Sequence, residues 1–363
     1  MKHLVCILLL FVFEIIGNVS IYAQHLDFDS LYQHDKTYQQ AINSAYKSLD
    51  IFEQEEIIKI SIESDFKNLV KHKFKDEYQP AILRYTVSDT VILRRDITIK
   101  PRGNMRRSTC YFPPLKLNFP QKEAVVKQIE EFDKMKMVVN CRRGETSQQY
   151  LLSEYYAYKI LNIITDVSFR VSLIEVTYID TAEKYKSGTS YAYIIETIDQ
   201  LAKRKNAIPF EVKNISDKYI NPECLANIYL FQYLIGNTDW SIPAGHNINM
   251  IKSSDPLQTK PLAIPYDFDY AGIVNTDYSV PDERLGIESV RERVYRGVCM
   301  DEDVIKQGVA NFIKSKEEIY NIYNNSGLLD KKVLSGTIQY LDDFYQIMES
   351  ESALRRNILQ NCR

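Results

Sequence analysis

The sequence predicts an α+β fold in two lobes, one rich in strands and one rich in helices. Apolar and polar residues alternate in the first half of the chain, most clearly over residues 81–99, which is typical of β-strands. In most of the second half, apolar residues recur at helical spacing. The change of period divides the chain into a signal peptide (1–23), an N-terminal helical extension (24–78), a first lobe (79–200) and a second lobe (201–363).

The first 23 residues have the pattern of a cleavable secretory signal. A short basic start, Met1-Lys2-His3, is followed by the almost wholly apolar run Leu4 to Ile16 and by the small residue Ala23. The alternative is an uncleaved N-terminal anchor. No later stretch is apolar for long enough to span a bilayer, so we expect no membrane span in the mature chain. We therefore expect an exported protein, periplasmic or extracellular.

Composition excludes several classes of protein. Apolar residues make up 45% of the chain, charged residues 26%, and the net charge is −3, which excludes a disordered chain and a strongly basic nucleic-acid binder. An odd number of cysteines follows the signal, so an oxidising compartment leaves at least one free thiol or an intermolecular bond. One or two disulfides are expected, with the pairing open, among Cys110, Cys141, Cys224, Cys299 and Cys362.

The elements of the first half follow in order. Residues 30–73 carry helical spacing and predict the helical extension. The alternating run over 81–99 predicts a β-hairpin, and Leu115–Phe119 another short strand. Residues 148–163 are apolar nearly all round and predict a buried helix that carries the carboxylate Glu154. Two further strands are predicted at residues 170–179 and 190–198.

The second half is predicted to be mostly helical. Pro222–Ile235 is an apolar helix, and the tail from Glu302 to Leu359 has helical spacing with charged faces. Two short strands, Ile248–Ile251 and Leu262–Pro265, interrupt the helices and can form a hairpin.

Polar residues cluster on both sides of that predicted hairpin. Asp239 and Asn247 precede its first strand, and Asp267 and Asp269 follow its second strand. The two segments can therefore face one another at one end of the hairpin. Carboxylate and amide oxygens in such a cluster are hard ligands suited to Mg²⁺. The alternative is that these side chains only stabilise turns.

These segments resemble a known family. Residues 236–239 (Gly-Asn-Thr-Asp), Asn247 and residues 265–269 (Pro-Tyr-Asp-Phe-Asp) look like the catalytic and metal-binding segments of the spore-coat protein H (CotH) kinase-like family, and residues 102–104 (Arg-Gly-Asn) are similar to its Arg-Gly-Asn motif. The resemblance covers roughly residues 81–272. It implies a two-lobed protein-kinase-like fold with a strand-rich N-lobe and a helix-rich C-lobe.

The resemblance also implies a nucleotide site built by the first lobe. Lys116 would hold the α- and β-phosphates of ATP, and Glu154 would pair with Lys116. Gly103 would let backbone N–H groups approach the phosphates without a Cβ. Glu196 would lie at the hinge beside the nucleotide.

The second lobe would supply the remaining groups. Asp239 would orient or deprotonate the acceptor hydroxyl, and Asn247 and Asp267 would hold Mg²⁺ or Mn²⁺. Asp269 would take a second ion or orient Asp267. The separation of eight positions between Asp239 and Asn247 is wider than the five of protein kinases, which makes Asn249 the alternative ligand.

Each assignment has a simpler alternative. Lys116 can serve only as a charge on a strand edge, and Glu154 can pair with an arginine such as Arg142. Trp240 is expected to pack behind Asp239, and His246 to orient the loop. The basic pairs Arg106-Arg107 and Arg142-Arg143 are either solvated or attract an acidic acceptor.

Three functions remain open from the sequence. The first is an exported atypical kinase-like phosphotransferase that moves the γ-phosphate of ATP to a hydroxyl on an envelope or secreted protein or glycan. The second is a non-catalytic binding or surface-assembly protein on the same fold. The third is a metal-dependent hydrolase, which explains the aspartates but gives no role to Lys116 with Glu154.

Overall fold

The computed structural model describes residues 51–52, 56–88, 91–119 and 134–363, and the predicted signal peptide and most of the helical extension lie outside them. Seven strands form a closed barrel in the order β1-β2-β3-β4-β5-β7-β6. Their bounds are β1 (Ile58–Ser64), β2 (Gln79–Ser88), β3 (Val91–Pro101), β4 (Leu115–Asn118), β5 (Lys134–Val139), β6 (Val171–Asp180) and β7 (Gly188–Ile195).

The strand β1 closes the barrel. It pairs antiparallel with β2 and parallel with β6, so Ile60 lies opposite both Tyr85 and Val176. Its buried side chains alternate with less buried ones, because β-branched isoleucines at positions 58, 60 and 62 point inward. The helical spacing predicted over residues 30–73 is wrong for residues 58–64, because the isoleucines there occupy every second position, as in a strand.

This closure corrects the predicted fold class. A two-lobed protein-kinase-like fold was expected, but the strand-rich half closes on itself as a seven-stranded barrel. Without β1 the sheet would have free edges at β2 and β6, and the strand missed in the sequence pairs with both.

Helices and a small sheet surround the barrel. The helices are α1 (Phe66–Lys71), α2 (Met105–Thr109), α3 (Glu145–Ile164), α4 (Ile198–Arg204), α5 (Pro222–Ile235), α6 (Glu302–Lys314), α7 (Lys316–Asn324), α8 (Lys331–Met348) and α9 (Glu351–Leu354), with short 3₁₀ or π turns at 217–219, 283–285 and 355–359. The second sheet has the order β10-β9-β8, from β8 (Ala207–Pro209), β9 (Ile248–Ser253) and β10 (Leu262–Pro265). No helix among the described residues has the length and apolar character needed to cross a membrane.

Two apolar cores hold these elements together. The barrel interior is filled by inward residues such as Ile62, Ile99 and Met137. The second core is continuous from the outer barrel face through α3 to the C-terminal helices, and includes Tyr158 and Phe268. The strand-rich and helix-rich halves are therefore packed through one shared core.

Several predicted elements are confirmed. The hairpin at 81–99 is β2 with β3, the buried helix is α3, the apolar helix is α5, and the short hairpin is β9 with β10. The prediction missed β5, although residues 134–137 alternate in burial before three consecutive buried residues, 137–139. The predictions of one or two disulfides and of a free thiol are also confirmed: the disulfides are Cys110–Cys141 and Cys299–Cys362, and Cys224 is free.

Candidate functional site

The β9–β10 hairpin brings the two predicted polar segments together. Ile248, the first residue of β9, pairs with Pro265, the last residue of β10. The backbone N–H of Tyr266 then donates to the carbonyl of Asn247 at 3.0 Å. Asn247 and Asp267 therefore flank the same end of the hairpin, as the sequence predicts.

Asp239 lies in a loop that the protein holds tightly. Helix α5 ends at Gly236, whose left-handed φ of +65° turns the chain toward Asp239. Asn237 is buried and accepts from the backbone N–H of Asp239 at 3.0 Å, and the ring N–H of Trp240 donates to the carbonyl of Asn237 at 3.0 Å. Trp240 is thus a packed ring behind Asp239, as expected. These bonds fix the Asp239 backbone while its side chain stays 40% exposed.

The wide spacing between Asp239 and Asn247 has a structural explanation. Ser241 and His246 exchange backbone hydrogen bonds of 2.9 Å, so residues 242–245 project as a small separate loop. His246 Nε2 donates to Asp239 Oδ1 at 2.7 Å, and Asn247 Nδ2 donates to Asp239 Oδ2 at 3.1 Å. Asn247 therefore contacts Asp239 directly despite the insertion, which favours Asn247 over Asn249 at this site.

Two of the site residues have an uncommon backbone conformation. Asn247 has φ +53° and Asp267 has φ +65°, the left-handed region that non-glycine residues rarely adopt. Asp267 is held there by its backbone N–H, which donates to the hydroxyl of Tyr158 at 2.8 Å. Asn and Asp enter this region more readily than other non-glycine residues, and four other non-glycine residues of the described chain also do, so the conformation positions these two side chains without marking a site by itself.

Arg106 occupies the centre of the carboxylate cluster. Its guanidinium donates to Glu154 Oε1 at 2.7 Å, to Asp269 Oδ2 at 3.0 Å and to Asp267 Oδ1 at 3.2 Å. The predicted Lys116–Glu154 pair is not formed, because Arg106 is the partner of Glu154. The alternative of an arginine partner is right in kind, but the arginine is Arg106 and not Arg142, which pairs with Asp277.

Burial sets the electrostatics of this cluster. It raises the pKa of Glu154 to about 7 against the opposing charge of Arg106, and the nearby carboxylates add to the rise. Burial alone would lower the pKa of Arg106, but Asp269, Glu154 and Asp267 raise it well above its ordinary value. Three carboxylates share one guanidinium, so the cluster carries excess negative charge when all are ionised.

Asp267 is the member of the cluster that solvent reaches. Its side chain is 45% exposed, whereas that of Asp269 is 11% exposed. Lost hydration and the charge of Asp269 nevertheless raise the pKa of Asp267, while Arg106 and Arg102 oppose the rise and Asp239 adds to it. Asp239, Arg102 and Asp267 are thus close enough to interact electrostatically.

A row of lysines lies on the outer face of the barrel. Lys116 on β4 is directly opposite Lys100 on β3 and Lys136 on β5, so the three side chains share one face. Lys100 pairs with Asp76 at 2.6 Å. Lys116, Lys136 and Arg102 have no ion-pair partner among the described residues.

Lys136 is the lysine of this row that senses the carboxylates. Burial and the charges of Arg102 and Lys116 lower its pKa to about 8, and the charges of Asp199 and Asp267 oppose this. The pKa of Lys116 is also lowered, by burial and then by the neighbouring cations Lys100, Lys134 and Arg102. Because the charge of Asp267 influences the pKa of Lys136, Lys136 is a candidate for binding phosphate near Asp267. The sequence prediction missed Lys136 because it missed the strand β5.

The other predicted nucleotide residues lie differently. Gly103 has φ +79°, and a Cβ there would meet only the Cβ of Arg106, at 3.7 Å. Glycine is therefore explained by backbone conformation and not by crowding. Glu196 is fully buried and accepts from the guanidinium of Arg204 at 2.9 Å and from Arg170 at 3.1 Å. Its carboxylate is therefore engaged by two arginines in the protein interior, and its predicted place beside a nucleotide stays a prediction.

Three arginines that were not predicted as site residues donate hydrogen bonds to backbone carbonyls around the site. Arg296 donates to the carbonyls of Thr238 and Trp240, on either side of Asp239. Arg293 donates to the carbonyl of Leu234 at 3.1 Å, and Arg291 to that of Gly272 at 3.3 Å. The spacing Arg-x-Arg-x-x-Arg over residues 291–296 is the available signal.

The predicted metal ligands differ in how far other protein groups engage them. Asp269 Oδ2 accepts from Arg106 and from the hydroxyl of Tyr278, each at 3.0 Å, so this oxygen anchors Arg106. Asp267 and the amide oxygen of Asn247 are oxygen donors of the kind that Mg²⁺ or Mn²⁺ prefers. No group of three His, Cys, Asp or Glu side chains arranged for a metal occurs in the described part of the chain.

Comparisons with known proteins add no relative. No protein-family model matches the chain, and no similar protein is found among curated proteins. The resemblance to the CotH kinase-like family therefore stays a prediction that rests on the motifs alone.

Proposed function

We propose that the protein is an exported, metal-dependent phosphotransferase that moves the γ-phosphate of ATP to a hydroxyl on a protein or glycan of the envelope or the secreted fraction. The observation that carries the proposal is the arrangement around Asp267. A solvent-accessible carboxylate on left-handed backbone lies within electrostatic reach of Asp239 and of the cations Arg102 and Lys136.

Phosphoryl transfer needs this combination of groups. Little covalent help is required, so catalysis depends on positioning and on positive charge around the phosphate oxygens. Arg102 and Lys136, with Lys116 beside them, would bind the phosphates. Asp267 and Asn247 would hold Mg²⁺ or Mn²⁺, which supplies further positive charge when bound.

Asp239 would act on the acceptor. One oxygen accepts from His246 and the other from Asn247, which fixes the plane of the carboxylate. Its exposed edge would orient the acceptor hydroxyl and take its proton. Arg106, Glu154 and Asp269 would position Asp267 and would not contact the substrate.

Two other functions are outcomes of the same test. A binding protein on this fold would bind nucleotide and transfer nothing. A metal-dependent hydrolase would release phosphate to water instead of transferring it to an acceptor hydroxyl.

The test separates binding from transfer. We expect Asp267→Ala to abolish Mg²⁺-dependent ATP binding measured by calorimetry, and Lys136→Met to weaken it at least tenfold. Asp239→Ala should keep the affinity within about threefold and lose transfer of labelled γ-phosphate by at least a hundredfold. Arg356→Gln, at an exposed arginine of the C-terminal turn, is the control. Equal loss of binding in the Asp239 and Asp267 variants, with folding intact, would contradict these roles.

A further inference from the structure

A cavity separate from the site around Asp267 lies at one end of the barrel. Its volume is about 470 Å³, and it is bounded by the end of β5, the end of β6, the start of β7, helix α1 and the first turn of α3. None of the described residues that line it belongs to the phosphate site around Asp267. We call it the mouth cavity.

Aromatic rings form the walls of the mouth cavity. Phe66, Phe112 and Tyr178 pack edge to face, with centroids 5.2 to 5.6 Å apart. Tyr111 and Tyr185 form a second pair, joined by a 2.9 Å hydrogen bond between their hydroxyls. Walls of this kind favour a flat apolar group, because a ring buries a large area against other rings.

The rim of the mouth cavity is positively charged. Arg143 lies with its guanidinium carbon 6.0 Å from the ring centroid of Tyr185 and has no ion-pair partner among the described residues. Asp180 keeps its negative charge, and its oxygens are engaged by backbone N–H bonds from Phe66 and Lys184, each at 2.8 Å. Among the lining residues, the cations Arg142, Arg143 and Lys186 outnumber the carboxylates Asp180 and Glu145, although Arg142 also pairs with Asp277.

The start of α3 adds to this field. The helix is 20 residues long, and its first residue follows Gly144, which has no side chain to cap the helix. The N-terminal N–H groups and the helix dipole then favour an anion in the cavity. In the wall, the buried side-chain oxygen of Asn140 lacks a hydrogen-bond partner among the described residues, so it is free to accept from a ligand N–H or O–H and does not attract the acid group.

We propose that the mouth cavity binds a small aromatic anion. The flat ring lies between the Phe66–Phe112–Tyr178 cluster and the Tyr111–Tyr185 pair, and the acid group lies beside Arg143 and the first turn of α3. This site is independent of the proposed phosphotransfer, because the two share no lining residue.

A matched pair of fluorescent probes tests the proposal on the full mature chain. The anion 1-anilinonaphthalene-8-sulfonate and the neutral N-phenyl-1-naphthylamine have the same rings and differ by the sulfonate. We expect one saturable site for the sulfonate, which Arg143→Gln weakens at least tenfold while the neutral probe changes less than twofold.

A blocking variant keeps the test independent of the wall residues. A Cβ at Gly188 would meet no atom within 4 Å, and Gly188 pairs with the cavity residue Tyr178, so Gly188→Trp introduces an indole at the mouth of the cavity. It should abolish binding of both probes, and Arg356→Gln should change neither. The proposal is overturned if the sulfonate does not bind saturably, if Arg143→Gln weakens both probes equally, or if Gly188→Trp leaves both bound.

Discussion

Arg106 determines the charge balance of the site, because Glu154, Asp267 and Asp269 all accept from its guanidinium. These partners are 48 to 163 positions away in the sequence. A local sequence pattern cannot identify contacts between residues so far apart in the chain. The sequence therefore indicated that the buried Glu154 needs a charged partner, but it did not identify Arg106 as that partner. The convergence of Asp239, Asn247 and Asp267 was predictable, because a hairpin brings its two ends together.

The shared guanidinium predicts a pH dependence of stability. The folded-state pKa of Glu154 is raised from its ordinary 4.5 to about 7, so its contribution to stability is fully present below 4.5 and is lost as pH rises through about 7. We expect the unfolding free energy of the wild type to fall over this range relative to Glu154→Gln, measured by urea denaturation. The exposed control Glu317→Gln should follow the wild type. Parallel curves for all three proteins would refute the assignment.

Among the elements, β1 decides the architecture. Its isoleucines satisfy an alternating pattern and, with their neighbour Ile57, also a helical count, so the sequence pattern was ambiguous over a short apolar run. Tertiary pairing resolves the ambiguity, since β2 and β6 each present an edge to β1. Strands with a clear turn between them, such as β2 and β3, needed no such partner to be recognised.

Removing β1 should open the barrel. We expect a chain that begins at Phe66 to aggregate, because the edges of β2 and β6 and the inner core become exposed. A chain that begins at Ile51 retains β1 and should unfold in one cooperative transition, measured by circular dichroism. A monomeric Phe66 chain of unchanged melting temperature would show that closure does not stabilise the fold.

For the whole molecule, two disulfides join distant parts of the chain. The disulfide Cys110–Cys141 joins the end of α2 to the loop before α3. Helix α2 carries Arg106, and helix α3 carries Glu154. Cys299–Cys362 ties the C-terminus to the segment before α6. The sequence predicted the free thiol from the odd count, but the pairing depends on three-dimensional proximity.

The number of free cysteine thiols can be measured directly by alkylation. Burial raises the pKa of Cys224 to about 12, so the thiolate required for alkylation is scarce in the native state. We expect iodoacetamide to label no cysteine of the native mature chain and one after unfolding without reductant, measured by mass spectrometry. Labelling of three or more cysteines in the unfolded, unreduced chain would contradict the pairing.

The central claim is that Asp267 and its neighbouring cations bind a metal–nucleotide complex. Thermal shift of the mature protein with ATP and Mg²⁺, separately and together, beside Asp267→Ala, tests it most directly, because a ligand that binds the native state stabilises it by about 2.7 kcal/mol at a hundred times its Kd. The account predicts a rise in Tm with ATP and Mg²⁺ together that is absent in Asp267→Ala. An unchanged Tm of the folded wild type, or an equal rise in the variant, would contradict it.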